Sequence, residues 1–393
     1  MSLNTWAEVN LNDIRENLLK IRQSLPRSAK LMAVVKANGY GHGDLETARM
    51  AEIAGADYLA VAHLEEALRL RANDITLPIL ILTPINPEDV QLALDYDLML
   101  TVASAAWLKE MRKYKPLSPA KRLKLHIKMD TGLGRIGVKT KDEWEELVPL
   151  IRAADIVIDG FYTHFATAGN ADTTFLELQT KRFTEMMNWS YASCLSVNHY
   201  HCAGSTAALR FPSLAMDMVR IGAAMYGFYP QQLLPSLKLK PAFSLHSRLI
   251  HVKKLNKGEW LGYDNSYCAE ADEWIGTVPI GYADGWSQRM QHTELLIGGK
   301  RALVIGKICM DQLMVRLPGP CEIGTAVTLI GCQGAEEITF AELAAHIGSV
   351  AQEVSTSITA RVVRNYTNDL GKEEAGAKWG KRTAQSIYKK AVM

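Results

Sequence analysis

Eight short apolar runs recur through roughly the first 225 residues, and helical periodicity fills the spaces between them. The runs are LMAVV (31–35), YLAVA (58–62), PILIL (78–82), LMLTV (98–102), LKLHIKM (123–129), IDGFYTHF (158–165), VNHYHCA (197–203) and MVRIGAA (218–224). Each has the length and character of a strand buried inside a parallel sheet. Segments such as DLETARMAEIAGA, HLEEALRLRAN and KDEWEELVPLIRAA carry apolar residues at helical spacing with charges on the other face. SAAWLKEMRKY opens on Ser104, a good N-cap. Eight such alternations predict an α/β class chain with an N-terminal (β/α)8 TIM-type barrel. An open doubly wound sheet is the alternative, and the count of eight favours the barrel.

The pattern changes after Tyr226-Gly227. PQQLLPSLKLKPA (230–242) carries three prolines and reads as a linker. Beyond it helical periodicity fades. SRLIHVKKL, EWIGTVPI, ELLIGGKRALVIGKI and AVTLIG read as strands, and Gly298-Gly299 as a two-residue hairpin. The expected division is a barrel over 1–238, a mainly β C-terminal domain over 239–372, and a polar, basic tail over 373–393.

With 393 residues, 48% of them hydrophobic, two cores are expected rather than one. The formal net charge of +2 gives no strong pull toward nucleic acid or an anionic membrane. No apolar run reaches the roughly 18 residues of a transmembrane helix, and MSLNTWAEVNLNDIRENLLK lacks the apolar region of a secretory signal. Six cysteines (Cys194, Cys202, Cys268, Cys309, Cys321, Cys332) show no CxxC spacing, against a disulfide framework or a zinc site. A cytoplasmic protein with reduced thiols is expected.

In a (β/α)8 barrel the chemistry sits where strands end and loops begin. Those positions hold Lys36 in AVVKANGYGHG, Lys128 in KMDTGLGR, His164, HCAGS (201–205) and Arg220 followed by Ile221-Gly222-Ala223. A lysine at the end of an apolar strand is partly desolvated. Its lowered pKa makes the amine a better nucleophile toward an aldehyde cofactor. A snorkelling lysine is the alternative, but three glycines within Gly39-Tyr40-Gly41-His42-Gly43 suggest a shaped loop. Ser205 with Gly222 and Ala223 falls where barrels bind phosphate, after strands seven and eight. Ser205-Thr206 also serves as a helix start. Arg220 inside an apolar strand requires a partner, either a structural ion pair or a ligand, and His164 is a candidate neighbour. In the second domain, LGYDNSYCAEADEWIGTVPIGYADGW and KICMDQ place tyrosines and aspartates in loops, where both function and packing are open.

Together these segments resemble the alanine racemases, in order and spacing, from about residue 5 to 370. AVVKANGYGHG is similar to their pyridoxal-phosphate (PLP) lysine motif, and KMDTGLGRIGV, THFATA, HCAGSTAALR, VRIGAAMYG, NSY, PIGYADGW, CMDQ and RVVRNY have counterparts. The resemblance implies PLP-dependent interconversion of L-alanine and D-alanine by two bases, supplying D-alanine for peptidoglycan. Lys36 would hold PLP and act as one base. Tyr267 would be the other, reaching the site from the opposite subunit of a homodimer. Tyr40, Ser205, Gly222, Ala223 and Tyr366 would hold the phosphate. Arg220 would meet the pyridine nitrogen, with His164 in the network supporting Arg220 and Tyr267. Arg135 would contact the phenolic oxygen and help bind the substrate carboxylate, as would the backbone of Met310 from the partner. Lys128, a position that relatives can carry as a carbamate, would orient Arg135. Asp311 is a supporting residue, and Tyr282 with Tyr366 would narrow the entrance. Gly204 departs from the family pattern, which often has Asn there.

That chemistry needs both bases near neutrality. Burial raises a phenol's pKa, so positive charge from the His164–Arg220 network would have to lower that of Tyr267. Arg220 can only donate to the ring nitrogen, leaving it unprotonated, a weaker electron sink that discourages transamination. The competing readings are a PLP carrier without turnover, a barrel-type PLP decarboxylase, and a racemase of serine or another small amino acid. Arg220 argues against the decarboxylase, which would place an acidic residue there. A nucleic-acid-binding role lacks a basic stripe.

Overall fold

A computed structural model describes residues 4–115, 121–230, 234 and 236–369. The chain forms two compact units. One is Ile14–Gly39 with Asp44–Lys240. The other joins the chain up to Asp13, Tyr40–Gly43 and Pro241–Asp369.

The first unit is the barrel. Its strands are β2 (Lys30–Val34), β3 (Tyr58–Val61), β4 (Ile79–Ile81), β5 (Leu98–Val102), β6 (Leu123–Lys128), β7 (Ile156–Tyr162), β8 (Val197–His201) and β9 (Met218–Ile221). They pair in parallel from β8 down to β2 in sequence order, and β2 then pairs with β9. The seam between β8 and β9 is joined by a Gly204–Arg220 bridge, with Arg220 N–H donating to the Ala203 carbonyl at 3.0 Å. All eight expected runs carry a strand. Their ends are shorter than the apolar runs: Lys36 and His164 each lie two residues past a strand rather than at its end. The ladders loosen there because the chain turns into its loop, leaving single bonds such as Val35 N–H to the Ala60 carbonyl at 2.9 Å. Helices occupy Asp44–Ile53, Leu64–Arg71, Ala105–Tyr114 and Lys141–Ile151 as their periodicity requires, and the Ser104 hydroxyl caps Trp107 N–H.

In the second unit, β1 (Trp6–Asn10) enters a sheet with β10 (Phe243–Arg248), β11 (His251–Leu255), β14 (Glu273–Val278), β15 (Glu294–Ile297), β16 (Lys300–Ile305), β17 (Leu313–Leu317), β18 (Ala326–Gln333), β19 (Glu336–Ile338) and β20 (Val363–Thr367). A separate ribbon pairs β12 (Trp260–Leu261) with β13 (Tyr267–Cys268). Gly298 and Gly299 both have positive φ, +59° and +75°, which is the twist a two-residue hairpin needs between β15 and β16.

Two boundaries differ from expectation. Strand β1 belongs to this sheet, not to the 1–238 barrel: it lies antiparallel to β10 and parallel to β20. Its alternating burial fits a strand with one covered face. The end of the 230–242 stretch is anchored rather than a loose linker, since Asn17 within the barrel unit bonds both backbone groups of Lys240, at 2.9 and 2.8 Å. Part of that stretch, and the 373–393 tail, lie outside the described residues.

Candidate active site

Each barrel residue singled out above sits at or just beyond a strand's C-terminal end. Lys36 follows β2 and is half-buried. Its amine has no hydrogen-bond partner among the described residues, and burial, then the Arg135 charge, lowers its pKa against the opposing pull of Glu66. Glu66 also accepts from Ala37 N–H at 2.7 Å. The next residues form a left-handed turn: φ is +53° at Ala37, +52° at Asn38, +61° at Gly39 and +53° at Tyr40. Left-handed residues cost about 1–2 kcal/mol each when not glycine, so this strain beside the amine is held in place by its surroundings. Asn38 fastens the turn by accepting from Asp44 N–H at 3.2 Å. Gly41 is obligatory in the second unit, because a Cβ there would stand 2.2 Å from the Ser355 carbonyl oxygen.

Arg220, from β9, is buried, and its hydrogen bonds are polarised toward the barrel. Nη1 donates to His201 Nδ1 at 2.7 Å. Nη2 donates to the Thr163 carbonyl at 2.8 Å, His164 Nδ1 at 3.0 Å and the Cys202 carbonyl at 3.1 Å. Nε–H is left over, with no partner among the described residues. The Arg220–His164 pairing read from the sequence is therefore present. Burial, then the Arg220 charge, drives the His164 pKa down to about 3, so the ring is neutral with its proton on Nε2. Gly204 makes room for that ring: a Cβ would stand 2.9 Å from His164 Cε1. The departure from Asn thus has a packing consequence, the imidazole occupying the space a side chain would take.

Ser205 Oγ accepts from Gly222 N–H at 3.0 Å and Ala224 N–H at 3.3 Å, leaving its own hydrogen to donate outward. Ala223 N–H has no partner among the described residues. At the end of β6, Lys128 is buried, donates to the Met129 carbonyl at 2.8 Å and lies 5.3 Å from the Tyr162 ring. Burial, then Arg220, brings its pKa down to about 7. Arg135 is exposed on the following loop. Its charge is felt at Lys36, Lys128 and His164, which places it with them.

The remaining candidates belong to the second unit. The Tyr267 phenol donates to Glu273 at 2.5 Å. Burial and that carboxylate raise its pKa to about 12. This is opposite to the lowering expected from a positive network: within one chain His164 is uncharged, and the phenol's immediate partner is an anion. Tyr282 N–H donates to the Cys309 carbonyl at 3.1 Å and Ala283 N–H to the Met310 carbonyl at 3.0 Å, so Tyr282 and Met310 come together, with Met310 N–H uncommitted among the described residues. Asp311 accepts from Arg361 at 2.7 Å, and Arg361 also reaches Asp284. Tyr366 lies on β20, opposite Val9. Burial keeps Tyr40 a phenol, with its pKa pushed up to about 12.

Residues 9–230 match the alanine racemase N-terminal domain and residues 242–366 the alanine racemase C-terminal domain. The chain belongs to the alanine racemase family. It is 48% identical to the alanine racemase of Geobacillus kaustophilus over 92% of this chain and 94% of that one, and 47% identical to that of Geobacillus stearothermophilus over 95% and 98%. In structure it is similar to the Bacillus anthracis alanine racemase with bound L-Ala-P, at a TM-score of 0.91 and 40% identity, covering 94% and 96% of the two chains. Alanine racemases are PLP-dependent isomerases. The barrel mouth fits that cofactor. It offers an amine without a partner among the described residues, a serine hydroxyl hydrogen and a backbone N–H for a phosphate, and an arginine Nε–H for a ring nitrogen. No described helix is long and apolar enough to cross a membrane.

Sequence reasoning placed His201 at a strand end without a role and missed two further buried polar side chains of this unit, His126 and Asp159. His201 contacts Arg220, His126 contacts His201 at 3.0 Å, and Asp159 contacts His126 at 3.2 Å. Burial lowers the pKa of both histidines. The unfolded chain therefore takes up protons below pH 6.5 that His126, His164 and His201 refuse in the fold. Stability is lost as pH falls from 6.5 toward the folded values, by up to about 1.4 kcal/mol per pH unit for each. Urea midpoints measured at pH 7.5 and 5.5 are expected to drop by well over the error of the fit. Equal midpoints would mean that the histidines are already charged in the fold.

Proposed function

We propose that this protein racemises alanine with Lys36 of one subunit and Tyr267 of another as the two bases, in a cytoplasmic homodimer that supplies D-alanine for peptidoglycan. The observation that carries the reading is the amine of Lys36, half-buried at the mouth of the barrel and without a partner among the described residues, in the unit that also holds the Arg220 and Ser205 groups. In this reading Lys36 holds PLP covalently. Ser205, Gly222 and Ala223 take its phosphate with Tyr40 and Tyr366, and Arg220 donates to its ring nitrogen. The bound cofactor supplies the sink for the electron pair left when the α-proton departs.

The chain's own groups set the proton inventory. Lys36, its pKa lowered by burial, is poised as a base toward one face of the α-carbon. Tyr267, held as a phenol by Glu273, is poised as a proton donor toward the other. That resting state suits D-alanine; the reverse reaction needs the phenolate. Arg135 and the Met310 N–H, uncommitted among the described residues, bind the substrate carboxylate, Asp311 steadies the Met310 loop through Arg361, and Tyr282 with Tyr366 narrows the entrance. The wild-type enzyme in D2O is expected to exchange the α-proton of both enantiomers. Exchange of neither, with PLP bound, would sink the assignment in favour of a carrier.

Lys128 has a further role in this reading. A buried amine whose pKa burial and Arg220 bring down to about 7, between Arg220 and Arg135, is better placed as an anion than as a third cation. Attack of its Nζ on CO2 forms the N–C bond and releases a proton, giving a carbamate that orients Arg135. With 13C-bicarbonate, one carbamate resonance is expected that Lys128→Ala abolishes. Its absence from the wild type would exclude the modification.

A further inference from the structure

The interior of a (β/α)8 barrel is ordinarily filled by layers of branched apolar side chains. Here β6, β7, β8 and β9 instead contribute a continuous polar chain, Asp159–His126–His201–Arg220, and all four residues are buried. Such a chain costs free energy unless its members are satisfied, and each is bonded to its neighbours, with the Nε–H of Arg220 left over among the described residues.

Its polarity follows from chemistry alone. Arg220 can only donate, so His201 Nδ1, at 2.7 Å, is an acceptor. A neutral His201 then has its proton on Nε2, 3.0 Å from His126 Nδ1. That nitrogen is the acceptor in turn, and the proton of His126 sits on Nε2, 3.2 Å from Asp159 Oδ2. Asp159 closes the chain, its other oxygen accepting from Asn198 at 2.9 Å. The Tyr58 phenol and His199, itself 3.2 Å from Lys30, also face this carboxylate. Three bonds thus point one way, from a fixed cation at the mouth to an anion deeper in the barrel.

Two independent features of β7 show that this arrangement is built in. The β6–β7 register slips between Leu125 and His126, which pair with Ile158 and Gly160, so Asp159 is the extra residue of a bulge. A bulge re-aims a side chain. The residue after it must be glycine: a Cβ on Gly160 would stand 2.1 Å from His126 Nδ1.

We infer that Asp159 is a positioning residue for Arg220, its charge fixing the tautomers of His126 and His201 and so the orientation in which Arg220 presents its remaining Nε–H. Arg220 has other acceptors, but only its bonds to His201 and His164 depend on a proton that can sit on either of two nitrogens, and of these two histidines His201 is the one on the chain from Asp159. Without an anion at the far end, His126 and His201 can both reverse. His201 Nδ1–H would then face Arg220 donor to donor and push the guanidinium away. The inference rests on the reading that Arg220 meets the cofactor's ring nitrogen.

The test is made on holoenzyme labelled with 15N-histidine, in wild type, Asp159→Asn and Asp159→Leu. In the wild type both histidines are expected as single Nε2–H tautomers. In Asp159→Leu both are expected to become mixtures, with kcat for alanine lower by on the order of tenfold and KM little changed. Asp159→Asn keeps the shape and an acceptor oxygen, so it covers the case in which the leucine variant fails to fold. It is expected to give an intermediate tautomer mixture and an intermediate kcat. Unchanged tautomers in either folded variant would overturn the inference. So would mixed tautomers at full kcat. The underlying reading has its own check: Arg220→Lys is expected to shift the absorption of bound PLP, and an unshifted band would refute the ring-nitrogen contact whatever the histidines do.

Discussion

Lys36→Ala is expected to abolish racemisation, by at least about 10⁴-fold, because one substitution removes both the covalent tether and one base. The amine's surroundings make no other sense of it. It has no hydrogen-bond partner among the described residues, burial lowers its pKa, and the strained turn from Ala37 to Tyr40 follows it directly. Ala37 already has φ +53°, so the neighbouring turn tolerates alanine, and the fold should survive. PLP should still bind through the Ser205 and Arg220 groups but wash out on dialysis, and borohydride should no longer fix it to the chain. Activity within tenfold of wild type would place the essential amine elsewhere.

Tyr267→Phe should cost about 10²–10⁴ in α-proton exchange from L-alanine while D-alanine still exchanges. The ring packs beside Leu255, Leu261, Ile275 and Met314, contacts that phenylalanine keeps. Only the hydroxyl and its bond to Glu273 are lost, about 1 kcal/mol of stability. Equal exchange of both enantiomers at wild-type rates would remove Tyr267 from the mechanism. The pair of variants also tests the sharing of sites between subunits. Mixed Lys36→Ala and Tyr267→Phe chains, each inactive alone, should regain roughly a quarter of wild-type activity, since each mixed dimer assembles one intact site. No recovery after exchange of subunits would mean that both bases come from one chain.

The barrel was legible because a strand covered on both faces has little choice but to be a short apolar run. Lys36, Lys128, His201 and Arg220 stood out because a charged or polar residue closing such a run is conspicuous. Strand β1 was not legible. Five alternating residues look like the approach to a helix, and the strands that complete them, β10 and β20, lie hundreds of residues on. Asp159 and His126 hid for a different reason: they sit inside strands, where the expected occupant is apolar, and a one-residue bulge decides which way Asp159 faces. The available signal was the Asp159-Gly160 pair in mid-strand, since glycine there marks a bulge or a close approach. Tyr267 could be named by resemblance, but its Glu273 partner depends on how strand β14 returns beside the β12–β13 ribbon.

The position of β1 bears on how the protein is made. It sits between β10 and β20 in the sheet, with Trp6 opposite Val363 and His246. On the ribosome, strand β1 therefore waits through synthesis of the whole barrel before either neighbour exists, and its parallel neighbour β20 begins only at Val363. Unpaired strand edges are the surfaces on which nascent chains stick to one another. The barrel's strands have all been made in the meantime, but the second unit becomes complete only once β20 has emerged. Its assembly, not that of the barrel, sets the interval in which a new chain depends on chaperones.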